Sequence, residues 1–363
     1  RYNLLRLHGW TGDGIMSTVA KKLLEAKTAA AVAATVGITG PSTKLTTIDI
    51  SDPTSMSILD TDTAGLESGV FNAAVDGNQV YTAAQNSDSV NSYDLSNPSA
   101  ISHSDTLTDN TNLNGAYGIA IDADRDLLFV SAHVSSTDTL NSINISNPAS
   151  LVIRDSLQDA TNLDFPYGIA IDTTNEIVYV TSVSDDSLTS VDYSDPDNLA
   201  ILSKFADADM DGARDVGLDL ANNRAYVCAN IEDSITCVNI SNPSSMSKVG
   251  SLIDNTNIDQ PYAIKLDLAR NVAFMTAIGS DNFIAVDISD PTNMAVLDTI
   301  THASIANPRG FDIDLVGNTA FLSNLGSNFI TAVDISDPSS LSIAGTLESS
   351  ADIGTGSFFK ILK

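Results

Sequence analysis

Val286-Asp287-Ile288-Ser289-Asp290-Pro291 is one copy of a pattern that runs through the whole chain. Its last three residues, Ser-(Asp/Asn)-Pro, occur seven times, with prolines at Pro53, Pro98, Pro148, Pro196, Pro243, Pro291 and Pro338. The gaps between them are 45, 50, 48, 47, 48 and 47 residues. An alternating run precedes the proline, as in Ile48-Asp49-Ile50, Val191-Asp192-Tyr193, Val238-Asn239-Ile240 and Val333-Asp334-Ile335. Alternation reads as strand, and proline ends the strand because it has no N–H to give to a ladder. Short strands repeating every 40–50 residues or so mark a β-propeller, one blade per repeat. The pattern predicts an all-β, seven-bladed propeller of four-stranded antiparallel blades.

The repeat ending at Pro196 shows the four strands. Tyr167-Gly168-Ile169-Ala170-Ile171-Asp172 reads as strand A, residues 177–181 as B, 188–193 as C and 199–205 as D. Strand A recurs as Tyr117-Gly118-Ile119-Ala120-Ile121-Asp122 and as Tyr262-Ala263-Ile264-Lys265-Leu266-Asp267. The small second residue suits the crowded strand nearest a central channel. The ends predict how the ring closes. The N-terminal part supplies B (about 31–36), C (44–50) and D (56–60) but no A, and residues 34–53 align without gaps on 177–196. Residues 357–362 form a spare strand with no B after it. That strand is expected to complete the first blade and remove an open edge.

The formal net charge is −29, from 46 acidic and 17 basic residues. Only Glu25, Glu67, Glu176, Glu232 and Glu348 are glutamates, so the acid is almost all Asp. Asp is the turn-former of the two, because its short carboxylate reaches nearby backbone N–H groups. This charge disfavours nucleic acid and anionic membranes as partners, and no apolar run is long enough to insert in a bilayer as a helix. It suits salty or calcium-containing surroundings, or solubility alone. Cys228 and Cys237 form no metal motif. Placed across a B–C hairpin centred on Glu232-Asp233, they are expected to face each other, with a strained disulfide as one outcome.

Residues 29–363 are assigned to the propeller and 1–28 to an arm. Residues 17–30 have helix-forming composition, with Val19 and Leu23 on one face, and Trp10 precedes them. An apolar stripe with a tryptophan needs a surface to bury against, so the arm reads as a docking element for a protein partner or a neighbouring subunit. The chain begins at Arg1 and reads as processed or incomplete at that end. The apolar stretch after Lys27 is read as blade, not leader.

One local motif is sharp. Asp207, Asp209, Asp211 and Asp215, with Gly212 between, follow the ligand spacing of a calcium loop, although Leu218 stands where a closing glutamate is usual. The expectation is a structural Ca²⁺ between two blades, the alternative being an ordinary acidic turn. Three other crossovers share a different pattern: residues 109–114, 159–164 and 254–259. Side-chain capping explains their repetition. The alternative is a ligand face of Asn112, Asn162 and Asn257 with Tyr117, Tyr167 and Tyr262, suited to a surface glycan. The histidines His8, His103, His133 and His302 do not recur in register, and no nucleophile elbow or phosphate-binding glycine loop appears.

The repeated Val-Asp-Ile-Ser-Asp-Pro, with Tyr179-Val180-Thr181-Ser182 on the preceding strand, resembles the LVIVD-repeat and YVTN-type β-propellers over residues 30–363. The resemblance implies a surface-exposed or secreted protein. Residues 16–24 also resemble the opening of virion appendage proteins of marine bacteriophages. Together these lead to a non-enzymatic binding or structural module on a virion or cell surface, held by its arm. The alternative is a secreted lactonase-like hydrolase. Lactonase-like propellers imply a channel metal held by Glu, Asn and Asp, and here no Glu falls on strand A.

Overall fold

The computed structural model describes residues 36–40, 44–64, 69–133, 138–353 and 357–362. They form seven four-stranded antiparallel sheets. Six blades use consecutive strands. The blade around Pro196 is Pro166–Asp172, Ile177–Ser182, Ser187–Asp192 and Ala200–Ala206. The expected strands therefore fall within about one residue of those observed. The innermost strands of the other consecutive blades are Val70–Asp76, Ala116–Asp122, Ala213–Asp219, Pro261–Asp267 and Pro308–Asp314.

The remaining blade closes the ring as expected. Phe359–Ile361 pairs with Val36–Thr39, followed by Leu45–Asp49 and Ser57–Asp62. Its B strand needs one correction. Val36 pairs with Asp49, whereas the ungapped alignment set Ala34 there. A slip of two preserves which face each side chain takes, so the hydrophobic pattern could not expose it.

The corner repeat has a physical cause. In all seven corners the Asp or Asn before proline accepts the backbone N–H two residues on, as Asp52 does from Thr54 and Asp290 from Thr292. The Asp or Asn that ends strand C also accepts the N–H of the corner serine, again in all seven. Two successive side-chain turns define the corner, and a longer glutamate would not reach.

Blades are then stitched to their neighbours by short polar links. Thr47, Ser92, Ser142 and Ser190 donate hydroxyls to the carbonyls of Pro98, Pro148, Pro196 and Pro243 in the next blade. Carboxylates of Asp60, Asp105, Asp155 and Asp298 accept the N–H of Ile101, Leu151, Leu199 and Leu341. Two blades carry Gly250 and Gly345 at the equivalent place, where a Cβ would lie within 2.2 Å of the Pro291 carbonyl and 2.1 Å of the Pro53 carbonyl. Apolar clusters fill the gaps between blades. At the closure Ile48, Ile50, Phe321, Ile330 and Phe359 pack together, so the terminal strand is held by burial as well as by its ladder.

Candidate active site at the channel mouth

The inner strands of the six consecutive blades each begin with a β-bulge. In the blade of Arg214, Ala213 pairs with Ala229 and Asp215 with Cys228, so Arg214 is the extra residue. Phe71, Tyr262 and Arg309 are extra in the same way. In the two remaining strands the irregularity spans Ala116 to Ile119 and Pro166 to Ile169, and holds Tyr117 and Tyr167. There the N–H of Gly118 and Gly168 is satisfied by the hydroxyls of Ser131 and Thr181. A bulge re-aims the side chain of the extra residue. Here all six are brought to one mouth of the central channel.

Gly118 and Gly168 permit this crowding. A Cβ on Gly118 would sit 1.9 Å from the Tyr167 carbonyl oxygen, and one on Gly168 would sit 2.6 Å from that of Arg214. The small second residue of strand A is thus required by blade-to-blade contact, as expected.

Tyr117, Tyr167 and Tyr262 are each 6 % exposed and form one cluster. The Tyr262 hydroxyl meets those of both Tyr117 and Tyr167 in short hydrogen bonds. Burial, then the neighbouring tyrosines, push Tyr117 and Tyr167 well above the ordinary phenol range, so both keep their protons. The guanidinium carbons of Arg214 and Arg309 each lie 5.0 Å from the Tyr262 ring centre, and Arg214 lies 4.5 Å from that of Tyr167. Arg309 donates to the Tyr262 hydroxyl at 3.4 Å and to Asn307 at 3.2 Å. The Nε of Arg214 is buried without a partner. Asp215 stands beside it, its carboxylate oxygens accepting the N–H of Val216 at 2.9 Å and Ile264 at 3.0 Å. Each oxygen keeps a lone pair free for a further donor.

His133, set aside in the sequence because it does not recur, lies behind this cluster. Its ring centre is 3.8 Å from that of Phe165 and 5.9 Å from that of Tyr117. Burial, followed by the charge of Arg214, pulls its pKa down to about 4, so it is neutral at physiological pH.

The mouth cavity is about 60 Å³ and ends at Lys265 and Lys360. The same two lysines line a second channel cavity of about 320 Å³ with Asp312, Ala74 and Ala120. The channel is therefore strongly cationic inside a protein of net charge −29. Two arginines and two lysines face it against Asp215 and Asp312, whose oxygens already hold backbone N–H groups. These residues do not fit a channel-bound divalent cation, because the cations outnumber the carboxylates.

The expected sites divide accordingly. Tyr117, Tyr167 and Tyr262 come together. Asn112, Asn162 and Asn257 do not join them: each gives its backbone N–H and its amide to its own loop aspartate, Asp109, Asp159 or Asp254. The four loop carboxylates also separate. Asp207 and Asp209 both hold the ammonium of Lys248, Asp211 is pushed up by burial and by Asp186, and Asp215 belongs to the channel. Among the described residues no three His, Cys, Asp or Glu gather as metal ligands. The two cysteines are buried and free. Cys228 pairs with Ile235 and Cys237 with Tyr226, two residues from the expected register. The turn has four residues, ending in left-handed Asp233 at φ 56°, and its centre lies one residue earlier than expected. Trp10, Val19 and Leu23 of the arm lie outside the described residues.

Several solved structures share this architecture at low identity. A periplasmic gluconolactonase of Pseudomonas aeruginosa is 12 % identical, with 90 % of this chain and 99 % of that one covered and a TM-score of 0.75. A candidate 6-phosphogluconolactonase from Bacteroides uniformis is 13 % identical, with 90 % and 99 % covered and a TM-score of 0.74. A protein of unknown function from Desulfotomaculum acetoxidans is 12 % identical, with 90 % and 98 % covered and a TM-score of 0.73. At such identity the likeness shows the fold alone. No functionally curated protein matches. The family model of lactonases with a seven-bladed β-propeller matches residues 33–346. That match overturns the expected non-enzymatic surface module and favours the hydrolase alternative. The sequence argument against an enzyme sought familiar nucleophiles and recurring histidines, whereas a lactone can be opened by water. By that match over most of its length, the chain belongs to the lactonase family of seven-bladed β-propellers.

Proposed function

We propose that this protein is a lactonase-like hydrolase that opens a polyhydroxylated lactone at the Tyr262 mouth of the channel. One observation carries the reading: two guanidiniums flank Tyr262 beside the anchored carboxylate of Asp215, in a chain of this family. Tyrosine faces suit the apolar face of a sugar-like ring, and their hydroxyls suit its polar edge.

The chemistry follows from these groups. Water attacks the lactone carbonyl carbon while Asp215 takes a proton from it. Negative charge grows on the carbonyl oxygen, where Arg214 and Arg309 stabilise it. The acyl C–O bond breaks, and a protonated tyrosine hydroxyl donates to the departing ring oxygen. Asp215 returns its proton to the tyrosine through water. One water is consumed, and a hydroxy-carboxylate and a proton are released. The likeness to LVIVD-repeat and YVTN-type propellers supports the repeat and adds nothing to this activity.

The released proton provides the test. Purified protein should acidify a weakly buffered solution of an aldonolactone above the spontaneous rate. Arg309→Met should lower kcat/KM by about 100-fold, the cost of losing one oxyanion donor. No hydrolysis above background, on neutral and anionic aldonolactones alike, overturns the reading.

A further inference from the structure

We propose that Lys265 and Lys360 clasp a tetrahedral oxyanion at the waist of the channel, and that this anion tethers the ring-closing strand. The inference stands apart from the lactone reading. It begins with the fifth rung of the inner strands. Ala74, Ala120, Ala170 and Gly217 occupy that rung in four blades, each opposite a tyrosine or phenylalanine of strand B. Lys265 and Asp312 take the rung in the next two, opposite Phe274 and Phe321. Lys360 follows on the closing strand, opposite Ile38. Small residues on one side leave the room into which two ammonium groups project from the other.

Neither lysine is held in an ion pair among the described residues. Among the described residues, the ion pairs are made by Lys44, Arg125, Arg154, Lys204, Lys248 and Arg270. The nearby carboxylate of Asp312 accepts the N–H of Ile313 and of Ile361, both at 3.0 Å, and offsets only part of the two lysines' charge. Two adjacent ammoniums repel, and an oxyanion between them converts that repulsion into attraction. The adjoining cavity of about 320 Å³ admits an oxyanion with its waters.

The position gives the anion a consequence. Lys265 lies in the blade before the last, and Lys360 lies on Phe359–Ile361, which pairs at only three positions. A shared anion would tie this short strand across the intervening blade. Binding to the folded ring alone stabilises it by mass action.

The groups facing Lys360 are Lys265, Asp312 and Asp215. Burial, then Lys265, lowers its pKa to about 8. Above that value it loses its charge, and anion affinity should fall. Sulfate, whose own charge is constant over this range, should bind more weakly at pH 9.5 than at pH 7.

Calorimetry with inorganic phosphate and with glycerol phosphate on the full chain tests the site, and the two arms separate a free anion from a phosphate ester. Binding of either that Lys360→Met and Lys265→Met each weaken by about tenfold or more supports the clasp. The same anion should raise Tm by about 2 °C or more in the native chain and leave Lys360→Met unmoved, with circular dichroism confirming that the variants fold. No binding at 10 mM-order concentration, or binding equal in folded variants and native chain, overturns it. A chain inactive on lactones that still binds phosphate through both lysines refutes the enzyme reading and keeps this one.

Discussion

At the outer corners seven Asp or Asn side chains perform one task, each accepting a backbone N–H two residues on. At the inner strands the bulged position carries Phe71, Tyr117, Tyr167, Arg214, Tyr262 or Arg309, so the residue type changes between aromatic and cationic around the ring. Both are repeats of one backbone. The corner conserves its chemistry from blade to blade because every blade faces the same problem of ending a strand. The inner strands conserve only geometry, the bulge, and vary the side chain that it aims. Repetition of residue type marks structure here, and departure from repetition marks the site. The four carboxylates of the calcium-loop spacing do not gather at one point, for a related reason. Their spacing is local, but Lys248, 39 residues from Asp209, occupies the loop.

The comparison can be broken at its largest effect by cutting the ring. Removal of residues 357–363 takes away Phe359–Ile361 and leaves Val36–Thr39 as a bare edge. The expected result is loss of cooperative unfolding with aggregation. A truncated chain that melts like its parent would show that closure is dispensable.

A smaller effect is expected at the repeated links. Asp155→Ala leaves the N–H of Leu199 without its acceptor and should cost about 1–3 kcal/mol in denaturant unfolding. Lactone hydrolysis should stay within about twofold of the native rate, because the carboxylate lies far from the mouth. Arg309→Met should do the reverse, and a variant that shifts both measures would blur the distinction.

Lys360 gives an effect of similar or smaller size with a definite sign. Its folded pKa of about 8 lies below its unfolded value of 10.5. Between the two the unfolded chain binds more protons, so stability should rise as pH increases from 7 to 10. In anion-free buffer at pH 7, Lys360→Met should therefore stabilise by on the order of 2 kcal/mol. A destabilised variant under those conditions would mean that Lys360 has a protein partner.

The smallest effect is expected at the acidic loop. With Lys248 held by Asp207 and Asp209, chelator and added calcium should give the same Tm, and Asp209→Ala should shift stability by about 1 kcal/mol or less. A fall in Tm on chelation would restore the calcium clip.

The sequence alone carried the blade count, the strand order within a blade, the corner turns and the closing strand. These depend on interactions across two or three residues, such as Asp290 with Thr292, or on a period long enough to count. The three tyrosines were also visible, because they sit at one place in strand A. What only the tertiary structure decided was convergence. The bulges bring Arg214 and Arg309 to either side of Tyr262, across nearly 100 residues of chain. Closure sets Lys360 near Lys265, and a four-residue turn moves Cys237 away from Cys228. A single strand carries no record of which side chain will face it across a ring of seven, because that neighbour is set by closing the sheetwork on itself and not by local backbone preference.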